Sequence, residues 1–143
     1  MPGLTSLASL EGRWRCTRRI VHENGDENTY EGTTVFLRSG PRLIQNEDGL
    51  LTMSPSQPAL RATRKFIWTL ERDRLECAFE DNRLFHTVPL NTAQPETTYL
   101  CPPDRYHVAY DFSDMRNWQA IWRVEGPKKA YAMTSTYTPL FGV

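Results

Sequence analysis

The chain lacks an excess of charge of either sign, because its seventeen basic and seventeen acidic side chains cancel over 143 residues. A neutral chain creates no overall field that would attract a nucleic-acid backbone or an anionic membrane surface. It also lacks apolar runs near the roughly 20 residues that cross a bilayer, and residues 1–14 lack the segments of a signal peptide. We therefore expect no nucleic-acid partner and no membrane span, in a soluble protein of the cytoplasm.

Cysteine is scarce, and the common catalytic motifs are missing. Cys16, Cys77 and Cys101 are far apart and odd in number, which fits neither a disulfide framework nor a zinc site with CxxC spacing. We expect reduced thiols in the core, with a thiol nucleophile as a minor alternative. No nucleotide, metalloprotease or serine-hydrolase motif occurs, so the sequence predicts neither a cofactor nor a metal.

What the chain does contain is a series of short alternating segments separated by turn residues. Their spacing, without long helical intervals, is typical of an antiparallel sheet. Thr5 or Ser6 is expected to cap a short N-terminal helix through Leu10, and Asp48-Gly49 to form a hairpin turn. The predicted strands span residues 12–22, 28–38, 41–45, 50–53, 61–70, 74–79, 84–90, 97–101, 106–112, 118–124 and 131–137.

These segments predict one all-β domain over residues 1–143, an up-and-down antiparallel barrel of about ten strands. A barrel is favoured over a sandwich or an open sheet because consecutive hairpins need no long crossover and closure removes exposed edges. The inner face is expected to be mainly aromatic. It comprises Trp14, Cys16, Arg18, Arg64, Phe66, Trp68, Cys77, Phe79, Leu84, His86, Val88, Tyr99, Tyr106, Val108, Tyr110, Trp118, Ala120, Trp122, Tyr131, Met133, Ser135 and Tyr137.

A Gly-x-Trp at Gly12 and Trp14, directly after the short helix, resembles the calycin superfamily of lipocalins, fatty-acid-binding proteins and nitrobindin-like barrels. The resemblance implies that Trp14 closes one end of the barrel under Arg123 or Arg64. Further segments resemble an uncharacterised bacterial and fungal family of small lipocalin-like domains, which implies the fold but no activity. These segments are residues 10–14, 18–20, 30–33, 79–86, 106–112 and 122–129.

Heme binding, which a nitrobindin-like relation would imply, needs an axial histidine near the mouth of the barrel. Neither His86 nor His107 lies in a heme motif, so the resemblance adds no cofactor.

Inward arginines indicate what such a cavity would bind. An unpaired buried guanidinium is costly, so Arg18 and Arg64 are expected either to grip an anionic or carbonyl oxygen of a ligand or to pair internally with Glu80 or Asp111. Flat side chains suit an apolar or aromatic ligand, although they could equally fill the barrel. The predicted ligand-binding residues are Arg18, Arg64, Trp68, Phe66, Phe79, Tyr99, Trp122 and Met133.

Catalysis is the alternative. His86, with an ordinary pKa near 6.5, and Tyr110 are the candidate acid–base residues of a cofactor-independent isomerase, cyclase or lyase. A third hypothesis is a protein-interaction barrel with a filled interior. The sequence favours binding of a small-molecule ligand or substrate, and it leaves open whether the chain catalyses a reaction or forms a homodimer.

Overall fold

A computed structural model describes residues 7–140, and within them it contains one short 3₁₀ helix and a single ten-stranded antiparallel sheet. The predicted all-β architecture is therefore confirmed. The elements are the 3₁₀ helix Leu7–Ser9, β1 Gly12–His22, β2 Glu27–Ser39, β3 Arg42–Thr52, β4 Leu60–Glu71, β5 Arg74–Phe79, β6 Leu84–Pro89, β7 Glu96–Cys101, β8 Asp104–Asp111, β9 Trp118–Glu125 and β10 Ala130–Pro139.

The sheet curls into a nearly closed barrel. Strands that follow each other in the chain pair with each other, except β6 and β7, and β1 also pairs with β10, so the order runs from β6 through β1 and β10 to β7. No backbone ladder joins β6 to β7, but side chains fill the seam between them: the rings of Phe85 and Tyr99 meet edge to face with centroids 5.2 Å apart. Aromatic packing thus covers a join that hydrogen bonds leave open.

One end of the barrel is closed by the short helix and Trp14. The Trp14 indole donates a hydrogen bond to the Leu10 carbonyl oxygen at 2.8 Å, and Leu7 and Leu10 are buried. Leu7 and Leu10 therefore face the core as predicted, whereas the expected caps Thr5 and Ser6 lie outside the described residues. The rings of Trp14 and Trp118 meet edge to face, with their centroids 5.7 Å apart.

Neither of the two arginines predicted to cover Trp14, Arg123 and Arg64, does so. Arg123 is exposed, and Arg64 lies against Trp122, toward the opposite, open end of the barrel. The expectation drawn from the resemblance is therefore wrong on this point, because Arg123 alternates to the outer face between inward residues of β9.

The hairpin predicted at Asp48-Gly49 is wrong. β3 runs without interruption from Arg42 to Thr52 and pairs along its whole length with β2. Gly49 lies directly opposite Gly32, and the Tyr30 side chain covers both glycines. Gly49 thus serves close packing rather than a turn, since long-range pairing outweighs a local turn preference.

A β-bulge between β5 and β6 changes which side chains face inward. The register shifts at Cys77 and Ala78, so that Phe85 and His86, although consecutive, are both buried. Leu84, predicted to face inward, is instead 50% exposed. Bulges re-aim side chains in this way because an extra residue breaks strict alternation.

Candidate functional site

A polar network lies inside the barrel around Arg18. Its guanidinium donates to Glu47 Oε1 at 2.5 Å, to the Ser135 hydroxyl at 2.6 Å and to the Tyr137 hydroxyl at 3.2 Å. The other Glu47 oxygen accepts a hydrogen bond from the Thr34 hydroxyl at 3.1 Å. Arg18 and Glu47 are both buried, so the guanidinium predicted to bind a ligand is already satisfied from within the protein.

Glu47 was not predicted as the partner of Arg18, because the sequence placed residue 47 in a hairpin turn, whereas it lies within strand β3. The expected partners are elsewhere: Glu80 lies 3.9 Å from Lys65, and Asp111 accepts hydrogen bonds from Ser113. Burial alone would raise the pKa of Glu47, but the adjacent Arg18 guanidinium outweighs burial and holds that pKa below its ordinary value. Glu47 is therefore ionised at neutral pH, as an ion-pair partner requires.

His86 and Tyr110 form a second buried polar pair. His86 Nε2 lies 2.8 Å from the Tyr110 hydroxyl, while His86 Nδ1 has no hydrogen-bond partner within residues 7–140. Burial lowers the pKa of His86 to about 3 and raises that of Tyr110 well above its usual value. Both side chains are therefore neutral at neutral pH, and His86 does not have the ordinary pKa assumed from the sequence.

The space between these two polar groups, here called the inner void, is small. It measures about 20 Å³, which is the room of about one water molecule. Trp68 narrows it, held by a 2.8 Å hydrogen bond from its indole to Gln45. The centre of the barrel is thus largely filled by its own side chains.

A larger cavity, here called the aromatic pocket, opens at the end of the barrel opposite Trp14. It measures about 280 Å³, close to the lower limit for small-molecule sites. Phe85 is a buried part of its wall, with its ring stacked on Phe79 at 4.9 Å and at an edge-to-face angle to Trp122 at 5.1 Å. Its lining is Arg64, Phe66, Phe79, Arg83, Phe85, Tyr99, Cys101, Tyr106, Trp122 and Tyr131.

Arg64 is the half-buried cation of this pocket. Its guanidinium lies 4.9 Å from the centre of the Trp122 ring and donates a long hydrogen bond to Met133 Sδ at 3.4 Å. Two other cations at this end have carboxylate partners, Arg83 with Asp81 at 2.8 Å and Lys129 with Asp104 at 3.4 Å. Among the described residues, no carboxylate forms an ion pair with Arg64.

The predicted ligand-binding residues lie around two cavities that share part of their lining. Phe79 and Tyr99 line the aromatic pocket, and Arg64, Phe66 and Trp122 line both the aromatic pocket and the inner void. Arg18, Trp68, Met133 and the catalytic candidates His86 and Tyr110 surround the inner void. Phe85 was missed, because only the bulge turns it inward. Arg83 was also missed, since it lies between the predicted strands 74–79 and 84–90, and its guanidinium lies 5.0 Å from the centre of the Phe79 ring.

The cysteines agree only partly with the expectation of core thiols. All three are free; Cys16 and Cys77 are buried, but Cys101 is exposed at the rim of the aromatic pocket. Burial raises the pKa of Cys16 to about 11 and that of Cys77 well above its usual value. The two buried thiols are therefore protonated at neutral pH and are poor nucleophiles.

Two further properties concern the described part of the chain. Within residues 7–140, no three His, Cys, Asp or Glu side chains are grouped to hold a metal ion. No helix in that range has both the length and the apolar character needed to cross a membrane.

A family model described as a family of unknown function, DUF6314, matches residues 10–139. No curated protein matches the chain. Among solved structures, the chain is similar to an S-type phycobiliprotein lyase from Guillardia theta, with a TM-score of 0.75 and 7% identity over 95% of this chain and 91% of that one.

The chain is also similar to a protein of unknown function of the DUF3598 family from Nostoc punctiforme. The TM-score is 0.71 with 14% identity, over 96% of this chain. The alignment covers 50% of that protein, so this chain spans half of its length. At such identities these likenesses show the barrel fold alone.

Proposed function

Since the chain belongs to the DUF6314 family, which has no established function, we propose from its own geometry that it is a calycin-like protein that binds a small aromatic anion. The ligand occupies the aromatic pocket, and its carboxylate or other anionic oxygen pairs with Arg64. The proposed site is at the open end of the barrel and not in the enclosed central cavity expected from the sequence, because the centre has room for only about one water molecule.

The observation that carries this proposal is the unpaired guanidinium in an aromatic wall. A half-buried guanidinium that forms no ion pair loses part of its hydration, and its contacts with the Trp122 ring and the Met133 sulfur compensate for this only in part. An anionic ligand would supply the missing acceptor through charge-assisted hydrogen bonds, while its ring is buried among Phe85, Tyr106 and Trp122.

The other hypotheses have less support. An isomerase, cyclase or lyase using His86 and Tyr110 would need a substrate beside two neutral side chains that line a void of about 20 Å³. A protein-interaction barrel fits the filled centre but gives no reason for a concave aromatic pocket. Catalysis and a cytoplasmic location remain predictions.

The test compares an aromatic acid with its neutral isostere. We expect isothermal titration calorimetry to detect binding of 2-naphthylacetate, and weaker binding of 2-naphthylacetamide, to the wild-type protein. Arg64→Met should weaken binding of the acid by about tenfold to a hundredfold, the worth of a hydrogen-bonded charge, and should weaken binding of the amide by a smaller factor because the amide carries no charge. Native mass spectrometry of freshly purified protein would show whether an aromatic acid copurifies.

Arg61→Met is the matched control, because Arg61 lies on the same strand, is exposed and pairs with Asp48 at 2.7 Å. It should leave both affinities at their wild-type values. Absence of saturable binding of the acid, or equal losses in the Arg61 and Arg64 variants, would overturn the proposed function.

A further inference from the structure

A second, smaller cavity, here called the side pocket, adjoins the aromatic pocket. It measures about 120 Å³ and lies between β1, β2, β3 and β4 at the open end. Arg64 lines the side pocket, the aromatic pocket and the inner void, and it is the residue that the linings of the side pocket and the aromatic pocket have in common.

The side pocket exists because one row of the sheet carries small side chains. Ala62 of β4 stands opposite Gly49 of β3, which stands opposite Gly32 of β2, which stands opposite Cys16 of β1. Residues directly opposite in antiparallel strands share a face, so four neighbouring strands contribute little volume at one level of the interior. Tyr30 covers the two glycines, and the space beside Ala62 is left empty.

Part of the lining of the side pocket is aliphatic, and its polar members are Arg18, Tyr30, Glu47, Thr63 and Arg64. Ile20, Leu51 and Ala62 are half-buried there. Its two charged side chains other than Arg64, those of Arg18 and Glu47, neutralise each other at 2.5 Å. An apolar group bound there would therefore cover aliphatic surface without separating Arg18 from Glu47.

We propose that the side pocket receives a short aliphatic arm of the same ligand, so that the protein is selective for 2-arylalkanoates. This inference rests on the proposed function. An anionic group held at Arg64 stands between the two pockets, because Arg64 lines both. A ligand that fills both therefore carries its ring and its arm on either side of the carboxylate-bearing carbon.

The test uses 2-naphthylacetate and its derivatives with a methyl or an ethyl group on the carbon next to the carboxylate. On the wild-type protein, each added carbon should tighten binding by about fourfold, the worth of one buried methylene. Ala62→Leu fills the side pocket and should abolish this gain without changing the affinity for the unbranched acid. Ala132→Leu, on the outward-facing position before buried Met133, is the matched control and should keep the gain.

The outcomes separate the two proposals. Failure of all three acids to bind would overturn the proposed function and the selectivity with it. If the unbranched acid binds and the branched acids bind equally or more weakly, the side-pocket proposal is overturned while the proposed function stands. A gain that persists in Ala62→Leu would likewise overturn the side-pocket assignment, and the wild-type series decides the matter even if that variant does not fold.

Discussion

Arg18 and Glu47 are two charges removed almost completely from water. Their side chains are 3% and 2% exposed, and the cost of taking both out of solvent is offset only by their mutual contact and by hydrogen bonds from their neighbours. A buried pair of this kind contributes little net stability as a pair, but each charge depends on the other. Removing one charge of the pair therefore lowers the free energy of unfolding much more than replacing both charges with apolar side chains.

Glu47→Ala should therefore lower the free energy of unfolding by about 3–5 kcal/mol, because it leaves the Arg18 guanidinium buried without its carboxylate. The double variant Arg18→Met with Glu47→Leu should recover most of that loss, since two apolar side chains need no partner. Urea denaturation of the three proteins measures both effects.

The exposed ion pair of Arg19 and Glu27 provides the control, because solvent screens it. Glu27→Ala should leave the denaturation midpoint close to that of the wild type. A small effect of Glu47→Ala, equal to that of Glu27→Ala, would mean that water reaches Arg18 and that the network is not sealed.

At the scale of the strand, β2 and β3 depend on glycines that serve close packing. A Cβ on Gly49 would lie 2.6 Å from the Tyr30 hydroxyl and closer still to the Glu31 carbonyl oxygen. The second of these atoms belongs to the backbone of the paired strand, so it cannot rotate away. The Tyr30 ring fills the volume that two ordinary side chains would occupy, which is a known way to stabilise glycine within a sheet.

Gly49→Ala should consequently destabilise the protein by about 1–3 kcal/mol, as overpacking does. The gain of roughly 0.5–1 kcal/mol from restricting the unfolded chain is too small to compensate. Thermal unfolding checks this, with Leu50→Ala as the control because Leu50 is exposed on the same strand. A Gly49→Ala protein as stable as the wild type would show that both the Tyr30 side chain and the β2 backbone at Glu31 move aside freely.

At the scale of the whole molecule, the buried His86 makes stability depend on pH. Burial lowers its folded-state pKa to about 3, whereas an unfolded histidine titrates near 6.5. Between these values the unfolded chain binds a proton that the folded protein does not. The contribution of His86 is therefore complete above pH 6.5 and is lost as the pH falls toward 3.

We expect the free energy of unfolding to fall between pH 6 and pH 5 with a slope that approaches about 1.4 kcal/mol per pH unit from this residue. Glu47 adds its own loss only at lower pH, because its pKa lies below the ordinary value of 4.5. Denaturant titrations at several pH values should show a flatter slope for His86→Gln. Equal slopes in the wild type and in His86→Gln would contradict the assignment.

Much of the architecture could be predicted from the sequence because a strand shows its two faces through alternation. The inward positions of Trp14, Phe66, Trp122 and Tyr137 follow from a period of two, which holds wherever a regular strand lies between core and solvent. The alternation of inward and outward residues gave wrong predictions where a strand is irregular or where a turn was assigned incorrectly. Phe85 is inward only through the bulge of β5 and β6, and Gly49 looks like a turn until β2 pairs with it.

The candidate site could be predicted only in part, for a related reason. The types of residue in the aromatic pocket, including Arg64, follow from the inward face. The partners of each charge do not, since Arg18 and Arg64 look alike in sequence, and only Arg18 is bonded by Glu47 of β3 and by Ser135 and Tyr137 of β10. Whether a buried cation is free for a ligand depends on atoms brought near by distant strands.

The order of apolar and polar residues along the chain therefore determined that this protein forms a meandering β-barrel with an aromatic interior. Tertiary structure alone decided where that interior is filled and where it is open. Alternation is a property of neighbouring residues on one strand, whereas a cavity is the volume left over when side chains from many strands pack together. The void at His86 and the pocket at Arg64 arise from the same kinds of residue, and three-dimensional packing makes the difference between them.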